Sequence, residues 1–196
     1  MSMRAIGAWI GVAIAVDPAL AVTRERLLRL APSAEPAIVA GVAGSFDRLA
    51  REHAVTTRLR ICHFLAQAAH ETDGFRTLAE YGGPAWFARY EGRRDLGNIQ
   101  PGDGARYYGR GIFQLTGRAN YRRFGQILGI DLEAEPDRAR EPAASLQIAF
   151  AYWSARAINE AADADDIERV TKLVNGGRTG LAERARYLAK ARAIWR

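Results

Sequence analysis

Nine of the 19 glycines in this chain fall between Gly82 and Gly117, at 82, 83, 92, 97, 102, 104, 109, 111 and 117. Glycine at that density weakens a helix and supplies turns instead, so no long helix can run through the segment. On both sides of it, apolar residues recur at helical spacing. The chain therefore reads as mostly α, with two helical blocks around a loop-rich lobe. Ile112-Phe-Gln-Leu115 is the run in that lobe that suits a short strand, within a small hairpin.

The helical blocks carry their own start and stop signals. Thr23 can cap a helix over Arg24–Leu30 that Pro32 ends. Pro36 opens a second helix, with Ile38, Val39, Val42, Phe46 and Leu49 on one face. Gly41 and Gly44 weaken it but permit close contact with another helix. Thr56 or Thr57 can cap a third, in which Leu59, Cys62, Leu65, Ala66 and Ala69 share an apolar face. That helix reaches its last turn at His70 and Glu71, before Gly74. After the glycines, Tyr121, Phe124, Ile127 and Leu128 form a face that stops at Gly129. Glu133–Pro142 reads as a linker. Pro142 starts a helix through Ile148, Ala149, Tyr152 and Trp153. Ile167, Val170, Leu173 and Val174 form the next, up to Asn175-Gly-Gly177, and a last helix runs from Leu181 toward Trp195.

A chain of 196 residues, 48% of them hydrophobic, can bury one substantial core, and residues 22–196 are expected to form one domain. Net charge is +6 and the pI is about 9.9, which suits an anionic polymer as partner. The arginines are spread along the chain and no nucleic-acid module is recognisable, so nucleic acid is not the expected polymer. Cys62 is the single cysteine, which rules out an internal disulfide and fits core packing. His63 and His70 lie seven apart and position 74 is glycine, so the His-Glu-x-x-His zinc pattern fails and no metal is expected. Gly109-Arg-Gly111 lacks the remaining spacing of a phosphate loop. At the N-terminus, Arg4 precedes the apolar run Ala5–Val16, which Asp17-Pro18 breaks before Ala19-Leu-Ala21. Residues 1–21 fit a secretory signal peptide, which would send the protein to the periplasm or beyond. An uncleaved N-terminal extension and a misplaced start are the rival readings; without export the protein would stay cytoplasmic until released. The run is short for a membrane span, so no stable insertion is expected.

Two carboxylates frame the junction between helix and lobe. Glu71 stands near a helix C-terminus, where the dipole and partial burial both disfavour ionisation, and a protonated carboxyl is what a general acid needs. Glu80, nine positions on and past Gly74, lies in irregular chain where it can stay ionised and activate water. Spacing alone favours two solvated surface glutamates, because most glutamates are exposed. Glu91 and Asp95 are alternative partners for Glu71, or pair with Arg93, Arg94 or Arg110 to hold their loop.

Four segments decide between these readings. Ala66-Gln-Ala-Ala-His-Glu-Thr-Asp-Gly-Phe75, Tyr90-Glu-Gly-Arg-Arg-Asp-Leu-Gly-Asn98, Tyr107-Tyr-Gly-Arg-Gly-Ile-Phe-Gln-Leu-Thr116 and Val174-Asn-Gly-Gly177 occur in this order. Together they resemble glycoside hydrolase family 19, its phage and bacterial endolysin branch more than its plant chitinases, from about Thr23 onward. The resemblance implies a two-lobed, lysozyme-like fold and an inverting hydrolase without cofactor, with Glu71 as general acid and Glu80 as general base. It implies that Thr116 helps hold the attacking water and that Gln114, Tyr121 and Asn175 line the cleft. Tyr107 and Arg110, in the same run, are expected to bind substrate with them, although Arg110 can equally brace the loop. Of the aromatic residues Tyr81, Trp86, Phe87, Tyr90, Tyr107, Tyr108 and Phe113, most are expected in the core, with one or two facing glycan. Three functions compete: hydrolysis of peptidoglycan by a monomeric wall enzyme, hydrolysis of chitin, and binding to the cell wall by a protein that has lost catalysis. Plant relatives are disulfide-stapled, as the resemblance implies, so the lone cysteine and the lack of a recognisable chitin-binding module favour the first.

Overall fold

Local capping explains where the helices begin. In this computed structural model, which describes residues 17–196, Thr23 Oγ1 accepts from the Arg26 amide and opens α1, Arg24–Leu30. Pro36 opens α2, Pro36–Glu52, and Thr57 Oγ1 caps α3, Arg58–Glu71. Two single turns follow in the glycine-rich segment, α4 at Pro84–Phe87 and α5 at Asp103–Arg106. The second block comprises α6 (Arg118–Leu128), α7 (Pro142–Ala155), α8 (Ile158–Asp163), α9 (Ile167–Asn175) and α10 (Leu181–Ile194). Gly129 stops α6 at φ 65° and Gly176 stops α9 at φ 80°, left-handed positions that glycine takes without strain. The expected linker before Pro142 holds a 3-10 turn, Pro136–Arg140. The apolar run Ala5–Val16 lies outside the described residues. No helix among those described is long and apolar enough to cross a membrane.

The core has two centres. The larger joins residues from Val22 to Trp195, with α3 packed along α10 and α2 along α7. Phe46, Phe64, Phe150 and Trp153 meet at its middle, Phe64 and Phe150 stacked at 4.3 Å between centroids. A Cβ on Gly41 would stand 2.3 Å from Pro142 Cβ, so glycine is what lets α2 meet the start of α7, whereas Gly44 faces open space. α3 is buried from Ile61 to Ala69, His63 and Gln67 included, rather than along one face, because neighbours cover it on all sides. The smaller centre gathers Tyr107, Leu115, Tyr121, Phe124, Leu132 and Ala139 against Ile148 and Ala151 of α7. Tyr152 packs on both centres, so α7 is the wall they share.

The lobe departs from expectation in two ways. Ile112–Leu115 is not a strand. Gly111 (φ 82°) and Gln114 (φ 49°) fold it into a tight turn, closed where the Leu115 amide donates to Arg110 O at 2.7 Å. Among the described residues, two isolated bridges are all that remains of the expected hairpin, pairing Arg110 with Ala79 and with Leu115. Of the seven aromatics, just Phe87 and Tyr107 are fully buried, and Tyr81 and Trp86 are 65% and 52% exposed. Asp95 pairs with Arg93 as expected, but Glu91 accepts from the amides of Gly102 and Gly104 instead of from an arginine.

Candidate active site

A cleft of about 510 Å³ opens where the end of α3, the 113–116 turn, α6, α7 and α9 meet. Glu71, Gln114, Thr116 and Asn175 all line it. So do Phe113, Asn120, Tyr152 and two arginines, Arg123 and Arg156.

Glu71 is aimed from below. Arg184 of α10, its side chain 1% exposed, donates through Nη2 to Glu71 Oε1, through Nη1 to Gln67 Oε1 and through Nε to Thr179 O. Gln67 in turn donates to Thr171 Oγ1 at 3.3 Å, which ties α3 to α9. This cation lies 113 positions away in sequence, beyond any local pattern at the helix end. The Glu71 carboxylate keeps 17% of its side-chain surface open, and no protein donor reaches Oε2 among the described residues. Beside it, burial pushes the Tyr152 phenol up, opposed by Arg156 and reinforced by Glu71, so the hydroxyl stays a donor and gives its proton to Val174 O at 2.8 Å.

Glu80 is held differently. Its amide donates to Gly109 O at 2.8 Å, next to the Ala79–Arg110 bridge. Its Oε1 accepts from Trp86 Nε1 at 2.9 Å, from Arg89 and from the Tyr90 hydroxyl at 3.0 Å. Its Oε2 accepts from Tyr90 at 3.1 Å and from the Gly109 amide at 3.2 Å. Arg89 also lies 3.7 Å from the Trp86 ring centre and 4.7 Å from that of Tyr90, which fixes its fork over Glu80. All these partners are donors, as an acceptor-only carboxylate requires. Gly109 lets this group approach Gln114 from behind the cleft lining: a Cβ there would sit 2.7 Å from Gln114 Oε1 and 3.1 Å from Glu80 Oε2. Gln114 Nε2 donates to Gly111 O at 3.0 Å, Thr116 Oγ1 donates to Gln114 O at 3.0 Å, and Asn120 Nδ2 donates to Thr116 O at 2.8 Å. The turn is thus tied at each residue that faces the cleft.

Glu80, the expected base, is not among the residues that line the cleft, and three expected substrate-binding residues do not reach it either. Tyr107, Arg110 and Tyr121 are 1%, 4% and 0% exposed. Arg110 donates to the Tyr121 hydroxyl at 3.0 Å, to Arg106 O at 2.9 Å and to Asp137 at 2.9 Å; Tyr121 donates to Tyr108 O, and Tyr107 to Glu133 O. They brace the turn from beneath, and Arg110 does not touch Glu80. Burial pushes the Tyr121 phenol well up, so it remains a donor. Its neighbour Asn120 faces the cleft instead, since adjacent helical residues point about 100° apart. Asn120, four positions after Thr116, was findable from that spacing. Arg184, Arg123 and Arg156 had no such signal.

Comparison with known proteins agrees with this architecture. The sequence model Glyco_hydro_19, described as chitinase class I, matches residues 35–169. A glycosyl hydrolase family 19 domain-containing protein of Haemophilus influenzae is 30% identical over 77% of this chain and 88% of that protein. A basic 30 kDa endochitinase of tomato, Solanum lycopersicum, is 35% identical over 57% of this chain but only 38% of its own length. Among solved structures, chitinase C from Streptomyces griseus superposes with a TM-score of 0.70 at 21% identity, over 90% of this chain and 77% of that one. At that identity the superposition speaks for the fold, which is the two-lobed lysozyme-like one.

Proposed function

Because the chain belongs to glycoside hydrolase family 19 and is a glycoside hydrolase, we propose that it cuts β-1,4 linkages between aminosugars by single displacement, with Glu71 as acid and Glu80 as base. The observation that carries this reading is the unlike support of two carboxyls on either side of one tied turn. Glu71 opens into the cleft through an unclaimed oxygen, while Glu80 sits behind Gln114 in a ring of donors. Glu71 gives its proton to the glycosidic oxygen as the bond to the leaving sugar breaks. Glu80 takes a proton from water, and that water oxygen attacks the anomeric carbon from the opposite face. Thr116 donates to Gln114 O, so its hydroxyl oxygen is free to accept from the same water. Inverting enzymes hold the two carboxyls roughly 6.5–9.5 Å apart to leave room for that water. The Gln114 and Asn175 amides in the cleft wall suit the hydroxyl and N-acetyl groups of such sugars.

Peptidoglycan is the preferred substrate, supported by the net charge of +6 and by the endolysin-like motifs. Such a protein would act on the wall from outside the cytoplasm, as an exported enzyme or as a phage-type lysin. Chitin is the second reading, favoured by the endochitinases among the relatives. The test is reducing-end release from purified peptidoglycan and from chitin oligomers, with the product anomer read by NMR. Wild type is expected to cut peptidoglycan and release the α-anomer. Glu71→Gln, which keeps an oxygen for Arg184, is expected to lose about 10²–10⁴-fold in rate. Release from chitin alone would move the substrate. A β-anomer, or an active Glu71→Gln, would overturn the mechanism.

A further inference from the structure

Two cations in the cleft have no partner of opposite charge. Arg123 and Arg156 are both exposed and both line the Glu71 cleft. No carboxylate lies within salt-bridge distance of either among the described residues, and residues 1–16 contain no aspartate or glutamate that could supply one. Glu71 is the only acidic residue in the described lining, and its carboxylate is already matched by Arg184. Other arginines, such as Arg60, Arg110, Arg118 and Arg122, each meet an acid. Arg156 is also held in place: Nη1 donates to Leu173 O at 3.1 Å and its guanidinium lies 4.5 Å from the Tyr152 ring centre. Most of its donors remain available. A neutral glycan offers these two cleft guanidinium groups only uncharged acceptors, whereas a carboxylate meets such a fork with paired, charge-assisted hydrogen bonds.

We infer that Arg123 and Arg156 select an acidic aminosugar glycan by binding its carboxylates on either flank of the bond that Glu71 protonates. The inference rests on the peptidoglycan reading above and narrows it to named residues. Two sources present this chemistry. In glycan stripped of its peptides each lactyl ether ends in a free carboxylate; in intact wall that group is an amide and the carboxylates belong to the stem peptide.

The experiment measures binding by the full chain carrying Glu71→Gln, so that no probe is consumed. The probes are a chitin hexamer, peptide-stripped wall glycan of the same length and wall glycan with stem peptides, each at low and at high salt. The acidic glycans are expected to bind more tightly than the chitin hexamer and to lose that advantage in salt. Arg123→Gln and Arg156→Gln are each expected to lower the acidic-to-neutral affinity ratio about tenfold, the size of one charge-assisted hydrogen bond. Arg→Lys at either site should recover part of it. An effect on stripped glycan assigns the lactyl carboxylate; an effect confined to intact glycan assigns the stem peptide. A ratio of one in the Glu71→Gln protein, or a ratio unmoved in both glutamine variants while their melting temperatures match the parent, overturns the inference. Tight binding of acidic glycan that wild type nevertheless fails to cut would instead sink the peptidoglycan reading and leave the arginines' selectivity standing.

Discussion

Replacing Gly109 with alanine adds one methyl group behind the cleft lining, and on the role proposed for Glu80 it should cripple the enzyme. The added Cβ would meet Gln114 Oε1 at 2.7 Å, Glu80 Oε2 at 3.1 Å and Glu80 Cβ at 3.3 Å. Gln114 would have to withdraw by roughly 0.7 Å to regain ordinary van der Waals separation, and Glu80 by a few tenths of an ångström. Neither can swing freely. Gln114 is anchored through Nε2 to Gly111 O, and Glu80 is gripped by Trp86, Arg89, Tyr90 and the Gly109 amide. Overpacking of this kind costs typically 1–3 kcal/mol in stability. Displacing a reacting group by up to an ångström costs on the order of 10²-fold in rate. Gly109→Ala is therefore expected to stay folded, with a melting temperature lowered by a few degrees, while kcat for glycan hydrolysis falls about a hundredfold and KM moves much less. Thermal melts and initial rates of reducing-end release test this together. A variant that melts lower but turns over at the wild-type rate would refute the claim that Glu80 and Gln114 are set by this close approach.

Two further outcomes follow from buried charge. Arg184→Met leaves Gln67 Oε1 without its donor and Glu71 without its counter-ion, so stability in urea should fall by about 2–3 kcal/mol, at the low end for a broken buried pair because Glu71 is partly open to water. Adding Glu71→Gln to it should cost less than the sum of the single losses. His63 is fully buried, with Nε2 2.8 Å from Asp165, and burial, aided by Arg192, pushes its pKa down to about 4 from the ordinary 6.5. As pH falls from about 6.5 to 4, the unfolded chain takes up a proton that the folded chain resists. Stability should drop by about 3 kcal/mol over that window, with no slope from this group above it. His63→Gln should flatten the dependence in urea melts between pH 7 and 4.

The parts of the fold that could be read from sequence are those decided within one turn of the chain. Thr23, Pro36, Thr57 and Gly129 act on their own neighbours, so the ends of α1, α2, α3 and α6 lie where the pattern puts them. The side chains of Ile112–Leu115 favour a strand, while its backbone answers to distant groups: the Ile112 amide donates to Ser145 Oγ at 2.9 Å and the Gly111 amide to Leu78 O at 2.7 Å. The cleft shows the same division. Glu71, Gln114 and Thr116 are carried into it by segments that form locally, a helix end and a turn. Tyr107, Arg110 and Tyr121 share those segments but face the other way, and spacing alone does not tell the wall of a cleft from its support. Arg184 reaches Glu71 only through the packing of α10 on α3, which no local pattern encodes.

The choice of arginine over lysine has its own structural reason. Lys172 and Lys190 are the only lysines among 28 basic residues. In a lobe short of aliphatics, arginine forks take over work that side-chain packing does elsewhere. Arg118 binds Asp103 at 3.0 Å, Glu133 at 2.9 Å and Gln100 at 2.9 Å, while Arg106 reaches the Tyr107 hydroxyl and two backbone carbonyls. Burial limits the choice further at Arg184, where each nitrogen meets an aimed acceptor, and at Arg110, where Nε and Nη1 do. An ammonium group on a flexible stem cannot face several acceptors in one plane, so the same formal charge carried on lysines would leave those acceptors unmatched. Many of the guanidinium groups are paired inside the structure, but each pair uses one charge of either sign, so the net +6 stands. What distinguishes the cleft is local: Arg123 and Arg156 stand there with donors free, beside the one carboxylate that is open to substrate.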